Sequence, residues 1–345
     1  MTYDTVVLSG GEVKGFILLG ALDYLSRRAY LGFVTNWYGT SIGAIIVYLV
    51  AIGYTPREIL GWLCSRGKLN EVAFSIRSAV EGNGATGFGF IQNILETMTL
   101  EKCHRFYTLG GLKRELGQRL CVVTYNKTDC ETVCITPETH PDIPCLIALR
   151  MSANFPNLFP RFEYLGKTWV DGGVTNNFPV DYATEDPHTE HLVGITVTTP
   201  PTPMENYTGR DPYNIQIVPY MIREMYMYLC AVHNELESFK ITKVSAGSKI
   251  LRIGQESPGL FGINMTNRDR AKLFEIGFIK ARDIYEPDTA ETVSADSDEA
   301  KEETESDSSS ETQPVTPWNP EEIEDLTETH DASPTAHMKV PADSE

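Results

Sequence analysis

The sequence lacks a cationic surplus. Its 345 residues hold 29 Lys and Arg against 47 Asp and Glu, a formal net charge of -18. Nucleic-acid binding rests on neutralising phosphates with basic side chains, so this balance excludes a nucleic-acid partner. It excludes a polybasic membrane anchor for the same reason. Long apolar runs are also missing. The nearest candidate, residues 41 to 53, is shorter than the roughly 18 residues of a spanning helix. MTYDTVVLSGGEVKG moves from a short apolar run straight into glycines, without the basic start and longer apolar stretch of a secretory signal. The expectation is an intracellular, cytoplasmic protein with transient membrane-surface association. Paired cysteines are missing too. There are seven, and only Cys130 and Cys134 are close in sequence. No second pair or His-x-x-x-His completes a zinc site, which predicts free thiols in a reducing compartment and no metal site.

The acidity is unevenly spread. Residues 287 to 345 hold 18 acidic side chains against Lys301 and Lys339, so the first 286 residues are nearly neutral. The tail carries many Ser, Thr and Pro and one aromatic residue, Trp318. Such a segment buries too little apolar surface to offset its chain entropy, so residues 287–345 are predicted to be a disordered acidic tail. Residues 1–286 suit one large domain. Within the tail, Ser306 to Glu311 suits phosphorylation. Ile323 and Leu326 beside Trp318 suit a short helix for a protein partner, with plain solubilisation as the blander reading.

In the domain, Thr5 to Ser9 reads as a buried strand ended by Gly10-Gly11. Helical spacing follows over residues 15 to 29, then an apolar run at 33 to 38, then a strongly apolar helix at 42 to 52. That alternation implies parallel strands with helical crossovers. Further helices fit 56–66, 90–100, 110–117, 144–152, 215–240 and 267–285. Strands fit 121–125, 132–136, 191–197 and 249–253, and the Pro-rich stretch 199–213 reads as a loop. The fold class is α/β with a mostly parallel central sheet. The glycine-rich stretch 81–90 suits a mobile lid or a surface loop. Tyr220, Met221, Met225, Tyr226, Met227 and Tyr228 suit core packing or an acyl channel.

Three segments carry chemistry. GTSIG, Gly39 to Gly43, has the form G-x-S-x-G at a strand-to-helix passage. A serine there sits on a tight, strained turn, and Gly39 and Gly43 let neighbouring backbone come close. SGGEVKG, Ser9 to Gly15, lies at the other such passage. Its glycines permit positive φ and expose N–H groups near a helix N-terminus, suited to an oxyanion. A phosphate loop is rejected because Phe16 stands where the lysine after Gly15 is required. WVDGGVTNNFPV places Asp171 before Gly172-Gly173, which taken alone suits an Asp-Gly hairpin turn. A serine nucleophile needs a base. His188, His191 and His233 are the candidates if that base is histidine, and a carboxylate is the alternative.

These segments, in this order, resemble the patatin-like phospholipases. SANFPNLFP (Ser152 to Pro160), NNFPV after DGG, and NRDRAKLFEIGFIKA (Asn267 to Ala281) are similar to further segments of that family. The resemblance implies a patatin-like three-layer fold. It implies Ser41 as nucleophile and Asp171 as the dyad base, with the N–H groups around Gly10, Gly11 and Glu12 as the oxyanion loop. Lys14 and Gly15 match the rest of that loop. It also implies a lipid acyl hydrolase of the phospholipase A or lysophospholipase type, needing no cofactor or metal, acting on membrane or micellar lipid. Glu12 replaces the third glycine of the family's loop. A second reading follows from it: a weakly active or inactive patatin-fold protein that binds lipid or a partner.

Overall fold

Thr5–Leu8 (β1) is buried at every position, as a strand covered on both faces must be. The computed structural model containing it describes residues 2–66, 75–198, 217–255 and 265–287. A short 3-10 turn, Glu12–Lys14, leads from β1 into α1 (Gly15–Arg27). Asn36–Thr40 (β2) and Ile42–Ala51 (α2) repeat the strand-to-helix passage. Next come α3 (Pro56–Ser65), α4 (Ile76–Val80), α5 (Gly89–Cys103) and α6 (Leu109–Leu116). Thr55 and Glu58 form a reciprocal capping box at the start of α3, with Pro56 as its first residue. The chain continues through β3 (Arg119–Asn126), β4 (Glu131–Ile135), α7 (Cys145–Ser152), β5 (Phe162–Tyr164) and β6 (Lys167–Asp171). It closes with α8 (Val180–Glu185), β7 (Leu192–Thr198), α9 (Ile217–Ile241), β8 (Lys249–Gly254) and α10 (Asn267–Tyr285).

The sheet runs β5-β6-β3-β2-β1-β7-β8, with β4 paired to β3. β8, β7, β1, β2 and β3 are parallel, and β4, β5 and β6 add antiparallel pairs. Alternate residues serve two cores. Val6, Leu8, Trp37, Leu120 and Val122 join the larger one with α1, α2, α5, α7 and α10. Val7, Tyr38 and Cys121 join a smaller one with Phe178 and α8. Helices therefore cover both faces, giving three layers. On the larger face α1 and α10 meet backbone to backbone. A Cβ at Gly20 would lie 1.8 Å from Phe274 O, and one at Gly277 would lie 2.0 Å from Ile17 O.

One register feature positions the site. β3 pairs with β2 up to Thr40↔Val123 and with β6 from Thr124↔Asp171 onward. β4 pairs along the opposite edge over both stretches. So β6 continues where β2 leaves off, and Asp171 arrives next to the residue after Thr40.

The α/β expectation holds, with most elements within a few residues of their predicted bounds. Four features differ, one of them the short α4, which no sequence signal marked. β2 begins at Asn36 rather than Phe33, whose ring is exposed. The β5–β6 hairpin and α8 were not anticipated from their short, mixed sequences. The hairpin turns at Leu165 and Gly166, with φ of 51° and 69°. This is the positive-φ turn that Asp171-Gly172 suits on sequence alone. Here Asp171 ends β6 and caps a 3-10 turn over Gly172–Val174. All seven cysteines are free. No helix among the described residues is by itself long and apolar enough to cross a membrane. The predicted loop at 199–213 and the tail expected at 287–345 lie, but for Pro287, outside the described residues.

Candidate active site

Ser41 links β2 to α2 with φ 55° and ψ -126°. This backbone region is unfavourable for a residue with a side chain, so the surroundings must impose it. Two close approaches do so. A Cβ at Gly39 would lie 2.5 Å from Ala44 N, and one at Gly43 would lie 2.4 Å from Ser9 O. Only glycine allows α2 to begin this near both strands. The turn is held further by Ser152, the last residue of α7. Its Oγ accepts the Ser41 N–H at 2.8 Å and donates to Val123 O at 2.6 Å.

The Ser41 hydroxyl donates to Asp171 Oδ2 at 2.6 Å, across 130 residues of sequence. Asp171 is buried, and its Oδ1 accepts the Gly173 N–H at 2.7 Å. Its own N–H donates to Asn154 O at 3.0 Å. Asn154 is fixed in turn, since its Nδ2 donates to Trp169 O at 2.9 Å and its Oδ1 accepts from Arg150 at 2.6 Å. Arg150 is buried against three rings, 4.0 Å from the centre of Phe88, 4.9 Å from Phe162 and 5.7 Å from Phe159. Burial lowers its pKa to about 10, which leaves it charged at neutral pH. Ser152 and Asn154 lie in the segment singled out by resemblance, but their roles had no signature in sequence.

The Gly10–Gly15 loop passes beside Ser41. Its glycines adopt no positive φ, although the sequence permits it. They serve close approach instead. A Cβ at Gly10 would lie 2.5 Å from Asn177 Oδ1 and 3.2 Å from Ser41 Cβ, and one at Gly15 would lie 2.6 Å from Ile42 Cγ1. The Gly10 N–H donates to Asn177 O at 2.9 Å. That N–H is therefore already engaged, and Gly11 and Glu12 carry the other N–H candidates of the loop. Lys14 is buried, its N–H bound to Gly11 O at 2.9 Å. The Glu12 side chain lies outside what the structure describes. NNFPV ties these parts together, because Thr40 Oγ1 also donates to Asn176 O at 3.0 Å.

Of the three candidate histidines, His188 bonds Asp186 at 2.8 Å and His191 packs against Gly247. Only His233 lines the space beside Ser41, and no histidine stands between Ser41 and Asp171.

Two cavities meet at the pair. One, with its mouth, spans about 1160 Å³ and is walled by apolar residues of α1, α2 and α5 and by Phe155, Leu158 and Phe159. The other, with its mouth, spans about 620 Å³ and is the more polar of the two, bounded by Lys14, Asn177 and the His233, Asn234 and Glu237 face of α9. Ser41 and Asp171 line both. The glycine-rich stretch forms part of the first wall. Ala85 and Thr86 donate to Asn157 O and Leu158 O at 2.8 and 2.9 Å, and Phe90 faces the cavity. On α9, Tyr228, Val232, Leu236 and Phe239 form an exposed apolar stripe. The predicted Tyr220 to Met227 side chains lie outside the described residues.

A sequence model for Patatin-like phospholipase matches residues 6–184. The chain is 36% identical over 185 residues to a probable lipid hydrolase, 463L, of Invertebrate iridescent virus 6, covering 52% of this chain and 63% of that protein. The match thus spans less than two thirds of that relative. An uncharacterized protein of Acanthamoeba polyphaga mimivirus, R571, is 26% identical over 281 residues, covering 79% of this chain and 90% of its own. Among solved structures, VipD from Legionella pneumophila aligns with a TM-score of 0.46 at 16% identity, covering 82% of this chain and 67% of its own. With the family model covering just over half its length, this chain belongs to the patatin-like phospholipase family.

Proposed function

We propose that the protein hydrolyses fatty acyl esters of lipids through a Ser41–Asp171 dyad and an acyl-enzyme. The observation that carries this reading is the 2.6 Å hydrogen bond from Ser41 Oγ to Asp171 Oδ2 at the mouth of an apolar cavity. Asp171 takes the hydroxyl proton as Ser41 Oγ attacks the ester carbonyl. The N–H groups of Gly11 and Glu12 stabilise the oxyanion. As the tetrahedral intermediate collapses, the C–O bond breaks and Asp171 delivers its proton to the leaving alcohol. Water then attacks the acyl-enzyme, its proton passing to Asp171 and back to Ser41. The acyl chain lies in the apolar cavity. The exposed stripe on α9 supports apolar contact with a membrane or micelle surface, which a nearly neutral body requires.

The test is turnover of nitrophenyl butyrate and of a diacyl phospholipid. Wild-type protein is expected to cleave both, and Ser41→Ala and Asp171→Asn to lose at least a hundredfold. Wild-type-like turnover in either variant contradicts the assignment.

One observation favours a second reading. With the Gly10 N–H committed to Asn177, the loop relies on Gly11 and on Glu12, where the family has glycine. A weakly active lipid- or partner-binding protein fits that loss. A large gain on Glu12→Gly from near-zero wild-type turnover would favour it.

A further inference from the structure

The polar cavity beside Ser41 is walled on one side by α9. Glu237 there is 4% exposed. Thr196 Oγ1 donates to its Oε2 at 3.0 Å. Arg252 Nε stands 3.4 Å from its Oε1, near enough for attraction but without hydrogen-bond geometry. Oε1 has no hydrogen-bond partner among the described residues. A buried carboxylate oxygen with an unused lone pair is costly and calls for an explanation. Burial also raises the Glu237 pKa to about 6, so the group is ionised at neutral pH. His233, one turn earlier, bonds to the Val174 backbone, and burial lowers its pKa, so it is a neutral imidazole there. A neutral imidazole that donates from one nitrogen keeps an acceptor on the other. The α9 wall therefore presents a carboxylate acceptor and a neutral imidazole, beside Asn234, to whatever enters.

The geometry of the two cavities gives that wall a ligand. An ester held at Ser41 with its acyl chain in the apolar cavity must place its alcohol half elsewhere, and the polar cavity shares Ser41 and Asp171. Resting on the esterase reading above, we infer that the polar cavity is the subsite for the lipid's polar head. It selects heads carrying hydrogen-bond donors, a primary ammonium or a hydroxyl. Glu237 Oε1 accepts the donor. A quaternary ammonium head offers only methyl groups and leaves Oε1 unpaired.

The experiment compares phosphatidylethanolamine, phosphatidylglycerol and phosphatidylcholine with identical acyl chains. Each is presented at one mole fraction in non-ionic detergent micelles to the full-length protein. A hydrogen bond to a charged group contributes about 1.5–3 kcal/mol, so the donor-bearing heads should be cleaved roughly tenfold or more faster than phosphatidylcholine. A preference for phosphatidylethanolamine alone assigns the ammonium. A preference for both donor lipids assigns the shared donor chemistry. In Glu237→Gln the ratio to phosphatidylcholine should fall to within about threefold of one. The ratio is taken within each protein, so a general loss of turnover cancels. Glu237→Ala, which removes both carboxylate oxygens, is the second variant and should lower the ratio too. Equal wild-type rates, or a ratio retained in both variants, overturn the subsite. If wild-type protein cleaves nitrophenyl butyrate and all three lipids alike, only the subsite fails. If it cleaves none of them, the esterase reading fails and the subsite with it.

Discussion

Thr40 and Asp171 stand opposite consecutive residues of β3, Val123 and Thr124, along one strand edge. The serine that follows Thr40 and the carboxylate on Asp171 meet because β6 takes over the edge where β2 ends. Side chains alternate along a strand, so a one-residue slip of β6 would turn Asp171 to the other face. Sheet register, more than any local motif, brings together two groups 130 residues apart.

Ser152 is expected to matter as much for folding as for turnover. Ser152→Ala leaves the Ser41 N–H and Val123 O without their partner, and an unsatisfied buried group costs about 1–3 kcal/mol. Chemical denaturation should show a loss in or above that range, and turnover of nitrophenyl butyrate should fall with it. A stability change below about 0.5 kcal/mol would show that the elbow does not need this bond.

Arg150 acts through Asn154. Arg150→Met keeps the bulk between the phenylalanine rings but removes the donor to Asn154 Oδ1. With Asn154 loosened, the hydrogen bond from the Asp171 N–H to its carbonyl weakens. The expected signature is a kcat lowered about tenfold with KM little changed, as for a group acting in the transition state. An increase in KM alone would place Arg150 in substrate binding instead.

The tight elbow predicts a contrast between two glycines. A Cβ at Gly43 would lie 2.4 Å from Ser9 O, whereas one at Gly87 meets nothing within 4 Å. Gly43→Ala should therefore cost several kcal/mol or prevent folding, as overpacking against rigid backbone does. Gly87→Ala should stay within about 0.5 kcal/mol of wild type, the range of surface substitutions. Thermal melts of the two variants check this.

Glu237 gives the fold a pH dependence of known sign. Burial raises its pKa to about 6 from an ordinary 4.5. Below pH 4.5 the carboxyl is protonated in folded and unfolded chains alike, and its contribution to stability is fully present. Between those two values the unfolded chain loses the proton first. Stability from this group then falls as pH rises and levels off above about 6, a loss of about 2 kcal/mol. Glu237→Gln should remove that slope. Denaturation free energies of both proteins at pH 4.5 and 7.5 test it, and parallel curves would contradict it.

Much of this was legible in sequence because it rests on local signals. TVVLS before Gly10-Gly11 and GTSIG before an apolar run mark strand-to-helix passages by composition and period. Other features have no such mark. Phe162–Tyr164 and Lys167–Asp171 are too short and mixed to show alternation, yet β3 recruits them as strands by pairing. Gly10 carries the composition of a donor loop, but whether its N–H is free depends on Asn177, far along the chain. Glu237 reads as an ordinary residue of a long helix, and His233 as one candidate base among three. Their place comes from the cavity α9 lines, which forms only once that helix packs against Thr196 of β7.

Covalent trapping tests the central claim most directly. A fluorophosphonate transfers its phosphonyl group to an activated serine with loss of fluoride, and mass spectrometry locates the adduct. The dyad predicts one adduct, on Ser41, absent from Ser41→Ala and formed at least a hundredfold more slowly in Asp171→Asn. An adduct on another residue, or labelling of Ser41 at the wild-type rate without Asp171, would contradict it.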